Sequence, residues 1–425
     1  MNRRQFLGTG GSLAAAAQLS AQSNDKIERD RQVALSILKP SERDLAYGLA
    51  LHEDSLVFDA YGFSPRAAVD GDALRELTED GGSDIELRDR SEDMAMTRAA
   101  TVAAEREEFI RAWNAAGMTC IFQNCGEESS DPLRLIKRLA RFTYLTDHLD
   151  GVLRRTVSPE GVEQAYADGV GCLYFTGNGV PLTQQWVSVE DELRYVRIFF
   201  QLGIRMMHVT YNRRNRLGDG CAETANGGLS DFGRAAVAEM NRIGVIVDVA
   251  HSGWQTSLDA ARASAKPMVA SHTTCAGIYR HIRSKPDEVM RAIADTDGLV
   301  GICCISRFLR RGGDIEALLD HIDYAVKLLG SDHVAIGTDV AYRSQFTEAE
   351  ARKLPRTGPR RTRFAALWPE DDFVTDASMT QSLAWTNWPL FTVGMVQRGY
   401  SDESIRKILG GNVLRVARAA LAGGA

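Results

Sequence analysis

Apolar and polar positions follow a regular beat along this chain. Short runs rich in aliphatic and aromatic residues recur at 55–61 (SLVFDAY), 117–124 (GMTCIFQN), 171–177 (GCLYFTG), 204–212 (IRMMHVTYN), 245–251 (VIVDVAH), 267–272 (PMVASH), 298–305 (GLVGICCI) and 333–339 (HVAIGTD). Each has the length of a buried strand, and each gap is long enough for a helix. Strands alternating with helices predict a parallel sheet, and eight such units predict an α/β fold closed as a (β/α)8 TIM barrel. An open doubly wound sheet would carry a glycine-rich turn after its first strand. No G-x-G-x-x-G follows Asp59, and the TGNG at 176–179 is too short and lacks an acidic partner.

Around this beat the pattern predicts a polar helical lead-in over 24–55 and two long loops, at about 62–97 and 340–380. The first is acidic from Asp70 to Glu92 and gives way to a helix through Arg111. The second carries Lys353, Arg356, Arg360, Arg361, Arg363, Trp368 and the acids Glu370 to Asp372. A run of this kind reads first as a solvated face, and its place at the barrel rim adds a lid or anion-binding role as the sharper alternative. Ser401 is placed to cap a final helix whose apolar stripe should close the outer ring. Residues 24–425 are thus expected to form one barrel domain.

Composition adds limits. Hydrophobic residues make up 44% of the 425, enough for a large core, and the net charge of −6 argues against a nucleic-acid-binding protein. In 1–23, Arg3 and Arg4 precede Phe6, Leu7 and a Gly/Ala-rich run with small residues near Ala21. This resembles a twin-arginine export signal, so the expectation is an exported, periplasmic protein with no transmembrane segment in the mature chain. The seven cysteines contain no C-x-x-C pair, and Cys120, Cys172, Cys303 and Cys304 lie in apolar runs, so a disulfide framework is not expected.

In a barrel the chemistry sits where strands end. Those positions hold Asp59 and Tyr61, Gln123 to Cys125, Thr176 and Asn178, Tyr211 and Asn212, Asp248 with His251, His272, Cys303 to Ser306, and Asp339. His251 and His272 end two strands joined by one helix, so they should emerge side by side, where two imidazoles can converge on one metal ion or one substrate group. Of the other histidines, His208 lies three residues before Tyr211, and alternation along the strand turns the two to opposite faces. His281, near Arg283, is the best spare. His52 falls on the helix before the first strand, and His148, His321 and His333 read as surface or helix positions.

The segments TYNRRN (210–215), LSDFGRAAVAEMNRIGVIVDVAH (229–251), PMVASHTT (267–274), HIRSKPDE (281–288), VAIGTD (334–339) and GGNVLRV (410–416) resemble the renal, or membrane, dipeptidases, the M19 metallopeptidases of the amidohydrolase superfamily. The resemblance runs from about Asp59 to Arg415. It implies a barrel of the metal-dependent hydrolase type, two zinc ions bridged by a glutamate, and dipeptide cleavage by a hydroxide held on the metal. It also implies that His251 and His272 bind one zinc, that Arg283 grips the substrate carboxylate and that Asp339 stands beside the attacking water.

This chain is a divergent member on that comparison. The histidine and aspartate that bind the other zinc fall on Tyr61 and Phe63, the bridging glutamate falls on Thr176, and a substrate-binding histidine falls on Tyr211. Phenylalanine offers a cation no lone pair and threonine no carboxylate, so the family's binuclear site is absent. Two imidazoles with Asp339 could still hold a single zinc or other divalent ion, three protein ligands and a water being a normal catalytic set. Tyr61 and Tyr211 could act as acid or base, or could fill the space left by the lost metal.

The leading expectation is a mononuclear metallohydrolase of a dipeptide or another small carboxylate-bearing amide or ester. The alternatives are a metal-independent or single-metal lyase or isomerase using Tyr61, Tyr211, His251 and Asp339, and an exported binding protein with no metal and no catalysis. The partner is a small-molecule substrate. Oligomeric state is left open, with a homodimer as one candidate.

Overall fold

The structure, a computed structural model, describes residues 25–126, 131–310, 312–354, 367–369 and 377–422. The export signal at 1–23 and most of the basic stretch after the last strand, including Arg356, Arg360, Arg361, Arg363 and Glu370 to Asp372, lie outside the described residues.

Eight parallel strands follow one another around a barrel: β1 (Phe58–Gly62), β2 (Cys120–Asn124), β4 (Gly171–Gly177), β5 (Ile204–His208), β6 (Ile246–Asp248), β7 (Val269–Cys275), β9 (Leu299–Ile302) and β10 (Val334–Ile336). They are the eight apolar runs read from the sequence. Two short strands were not foreseen. β3 (Leu153–Thr156) pairs with the first half of β4, and β5 takes over from Phe175. β8 (Ser284–Lys285) pairs with the end of β7. The seam between β10 and β1 is closed beyond the strand ends, where Asp339 N donates to Tyr61 O at 3.0 Å and Thr338 N to Asp59 Oδ1 at 2.9 Å.

Alternation along each strand sorts the side chains into two cores. One face packs against the surrounding helices. The other fills the barrel with Phe58, Ala60, Cys120, Phe122, Cys172, Tyr174, Met206, Ile246, Val269, Leu299 and Ala335. Phe122 stacks on Phe58 at 5.1 Å and lies 4.9 Å from Tyr174 between ring centres. The last helix, Asn412–Leu421, does more than join the outer ring. Val413, Leu414, Val416, Ala417 and Ala420 join the interior cluster, so this helix floors the barrel. Ser401 caps the preceding turn as expected, accepting from Ser404 N.

The connection after β1 is largely helical where a loop was expected. Asp70 caps helix Gly71–Glu79, and a reciprocal box between Ser83 and Glu86 starts helix Asp84–Thr101. The lead-in is two helices, Asp25–Leu38 and Glu42–Glu53, separated by Lys39 with φ 44° and Pro40. His52 on the second is buried between Thr392 Oγ1 at 2.8 Å and Ala116 O at 3.0 Å, remote from the strand ends.

Candidate active site at the barrel mouth

Register and parity build the floor of the site. Met206 and Ile246 belong to the barrel interior, and two residues farther along, on the same face, come His208 and Asp248, paired directly across β5 and β6. His208 Nε2 lies 2.7 Å from Asp248 Oδ2. The expectation that His208 faces away is corrected. The strand ends at His208, so alternation does not extend to Tyr211, and both residues reach the mouth by different routes.

Asp248 organises what lies above it. Its Oδ1 accepts from Ala250 N at 2.9 Å and Ser271 N at 3.1 Å, turning the chain sharply toward His251, and its Oδ2 accepts from Ser271 Oγ. Burial alone would raise this carboxyl, but His208 and these donors hold it below the ordinary carboxylate range. Because an ionised carboxylate only accepts, Ser271 Oγ must spend its proton there. It therefore accepts from His272 Nδ1 at 2.8 Å. His251 Nδ1 lies 2.6 Å from Asn212 Oδ1, likewise an acceptor.

Both imidazoles thus carry their proton on Nδ1 and face each other through Nε2 at 2.9 Å. Burial first, and then the Arg283 guanidinium, push both well below the usual histidine range and keep them neutral. Two facing lone pairs repel; a cation between them makes the contact attractive. Two nitrogens on one tetrahedral zinc stand roughly 3.3 Å apart for bonds of about 2.0–2.1 Å. The pair therefore fits a metal ion with little adjustment. Among the described residues one group of at least three metal-ligating side chains converges, His208, Asp248 and His272, with donor atoms within 4.8 Å of one another.

Two tyrosines brace this pair. Tyr61 stacks on His272 with ring centres 3.8 Å apart, and its hydroxyl donates to Asn178 Oδ1 at 2.5 Å. Tyr211 stacks on His251 at 4.1 Å. Phe63 lies edge-on to Tyr61 at 6.0 Å and carries the Arg66 guanidinium 4.7 Å above its ring. Thr176 is buried on β4 with its hydroxyl donating to Met206 O at 3.0 Å.

Arg283 and Asp339 lie near this centre, and each feels the other's charge. Arg283 is 1% exposed; its Nη2 donates to His272 O at 3.0 Å and its Nη1 to Ala250 O, while Nε has no partner among the described residues. His281 supports the Arg283 backbone, accepting from its N–H at 3.2 Å, and stacks on Phe308 at 4.8 Å. Asp339 adopts φ 56°, and burial pushes its carboxyl up to about 6 against the opposing pull of Arg283, His208 and Arg307. The converging group that includes His272 contains neither this carboxylate nor His251. The chain bends after β10, where Asp339 N donates to Tyr61 O on β1.

The comparisons agree with this architecture. The chain is 28% identical over 228 residues to dipeptidase tcpJ of Claviceps purpurea (strain 20.1), covering 52% of this chain and 46% of that protein. It thus spans about half the length of the curated relatives it matches. The crystal structure of an amidohydrolase from Pseudomonas aeruginosa superposes with a TM-score of 0.64 at 25% identity, covering 88% of this chain and 99% of that one. A metallopeptidase from Rhodobacter sphaeroides, liganded with a phosphinate mimic of the dipeptide L-Ala-D-Ala, superposes with a TM-score of 0.60 at 18% identity over 86% of this chain and 99% of that one. The model of the membrane dipeptidases, peptidase family M19, matches residues 75–353, well over half of the chain and including both strand-end histidines, and the chain belongs to that family.

Proposed function

We propose that this protein is an exported hydrolase of a small carboxylate-bearing amide or ester, a dipeptide being the parent substrate, and that it works with one divalent metal ion where the dipeptidase pattern has two. The observation that carries this reading is the pair of buried Nε2 lone pairs, 2.9 Å apart, beside positions where Tyr61, Phe63 and Thr176 leave no ligands for a second ion. When bound, such an ion supplies Lewis-acid activation of a water and of the scissile carbonyl.

The chain's own residues supply the rest. Asn212 and Ser271 hold the imidazoles in the tautomer that presents Nε2. Asp339, with its carboxyl raised to about 6 by burial, exchanges a proton close to neutral pH and is suited to serve as acid and base. The Nε of Arg283, which has no partner among the described residues, is a buried donor for the substrate carboxylate. Tyr61 braces His272; burial, with Asp339 next, pushes its phenol well above the ordinary range, so a metal-free lyase or isomerase would lack a base there.

The test is metal analysis of protein purified without chelator, followed by hydrolysis of a dipeptide panel before and after metal removal. About one equivalent of zinc, manganese or iron is expected, with turnover lost on chelation and restored by the ion. Less than roughly a tenth of an equivalent with no rescue overturns the reading, because a catalytic ion must be stoichiometric.

A further inference from the structure

We infer that Arg66, side by side with Arg343 on the rim where β1 meets β10, is a second anion-binding group of this site, so that the substrate carries an acidic group on its acyl half as well as the carboxylate held by Arg283. The inference rests on the hydrolase reading above and narrows its substrate to a diacid, such as a dipeptide with an acidic N-terminal residue.

Beyond the strand ends, the segments after β1 and β10 stay together. Asp339 N donates to Tyr61 O at 3.0 Å, Arg66 N to Tyr342 O at 2.9 Å and Ser344 N to Arg66 O at 2.9 Å. Arg66 and Arg343 are partners in a parallel bridge, so their side chains leave the backbone on the same face. The Arg66 guanidinium lies 4.7 Å over the Phe63 ring, Phe63 is edge-on to Tyr61 at 6.0 Å, and Tyr61 stacks on His272 at 3.8 Å. One phenylalanine ring therefore separates this arginine from a tyrosine that braces the histidine pair.

Arg66 is partly buried, yet it forms no ion pair or side-chain hydrogen bond among the described residues. Other sheltered arginines are compensated: Arg138 and Arg141 share Glu92, and Arg283 donates to two carbonyls. Around Arg66 the nearest charges are largely of its own sign. Arg138, whose Nη1 donates to Gly126 O just past β2, and the exposed Arg343 both repel it. Burial and these two neighbours pull it down to about 10 against the attraction of Glu92. A guanidinium in this setting favours an anion, and a carboxylate matches its planar fork with two oxygens.

The two arginines approach the centre from different sides. Arg283 is tied to the ends of β6 and β7 through Ala250 O and His272 O, while Arg66 stands at the seam of β10 and β1, with β9 and β10 between β7 and β1. A peptide carbonyl at the histidine pair, with its C-terminal carboxylate on Arg283, leaves the acyl half on the side of Tyr61 and β1.

The test compares kcat/KM of the zinc-loaded full-length protein for glutamyl-alanine and glutaminyl-alanine, which differ in one charge and little in shape. Wild type is expected to favour glutamyl-alanine by about 10- to 100-fold, mainly through KM. In Arg66→Gln, checked for native circular dichroism, the preference is expected to disappear. In Arg66→Glu it should pass to lysyl-alanine, a switch that only a folded site can show. Arg352→Gln, at an exposed arginine elsewhere on the same connection, should keep the wild-type preference. Equal kcat/KM for the first two dipeptides in wild type, or a preference that survives in Arg66→Gln, overturns this inference and leaves the hydrolase reading standing. No hydrolysis of any dipeptide in the panel removes the hydrolase reading and this inference together.

Discussion

Asp59 sits fully buried at the seam of β1 and β10, where Oδ1 accepts from Thr338 N at 2.9 Å and Tyr61 N at 3.2 Å and Oδ2 meets Thr338 Oγ1 at 2.5 Å. Burial outweighs these bonds and pushes its carboxyl up to about 7. As pH rises from about 4 to 7 the unfolded chain releases this proton and the folded one keeps it, so stability present below the unfolded value is lost through that window. The loss approaches about 4 kcal/mol at roughly 1.4 kcal/mol per unit. Asp59→Asn should remove that slope, read as the urea midpoint against pH; parallel curves for the two proteins would refute it. At this scale the histidine pair was legible, because His251 and His272 each end an apolar run and such ends meet at one rim. His208 was not, because its face was judged through Tyr211, which lies beyond the end of the strand.

The helices after β1 show how an element gains its place from charge. Glu92 on helix Asp84–Thr101 faces Arg138 at 3.2 Å and Arg141 at 3.6 Å on helix Pro132–His148, both arginines being almost fully buried. Burial works to raise Glu92, and Arg138 and Arg134 overcome it and hold the carboxyl below its ordinary range. Glu92→Gln removes the carboxylate that Arg134, Arg138 and Arg141 share, while Arg141 keeps Asp89 and Asp93, and is expected to cost about 2 kcal/mol in denaturant unfolding. Glu76→Gln, at an exposed position of the preceding helix, should stay within about 0.5 kcal/mol. Equal midpoints for the two variants would show that the network contributes nothing. The Ser83 and Glu86 box was present in the sequence, but the surrounding acidic residues masked it, since a helix packed through ion pairs lacks the apolar stripe that betrays most helices.

Across the whole molecule, the C-terminal helix decides whether the barrel is sealed. Val416 is 1% exposed within the interior cluster, so Val416→Asp places an unpaired carboxylate in the apolar floor. The expected cost is about 4 kcal/mol or more, seen as lost soluble yield and binding of a hydrophobic dye, whereas Arg418→Ala on the exposed face should change little. A soluble Val416→Asp protein with a wild-type melting point would contradict the floor role.

The sequence by itself determined the barrel, the histidine pair and the presence of Tyr61, Phe63 and Thr176 near the ends of β1 and β4. Strand periodicity and the identity of strand-end residues are local properties, written in a few consecutive positions. Only the tertiary structure decided that His208 and Asp248 converge with His272 and that Asp339 N ties back to β1. Those outcomes depend on which residue faces which across β5 and β6, and on where the chain bends after β10, and both are set by contacts between segments far apart in sequence.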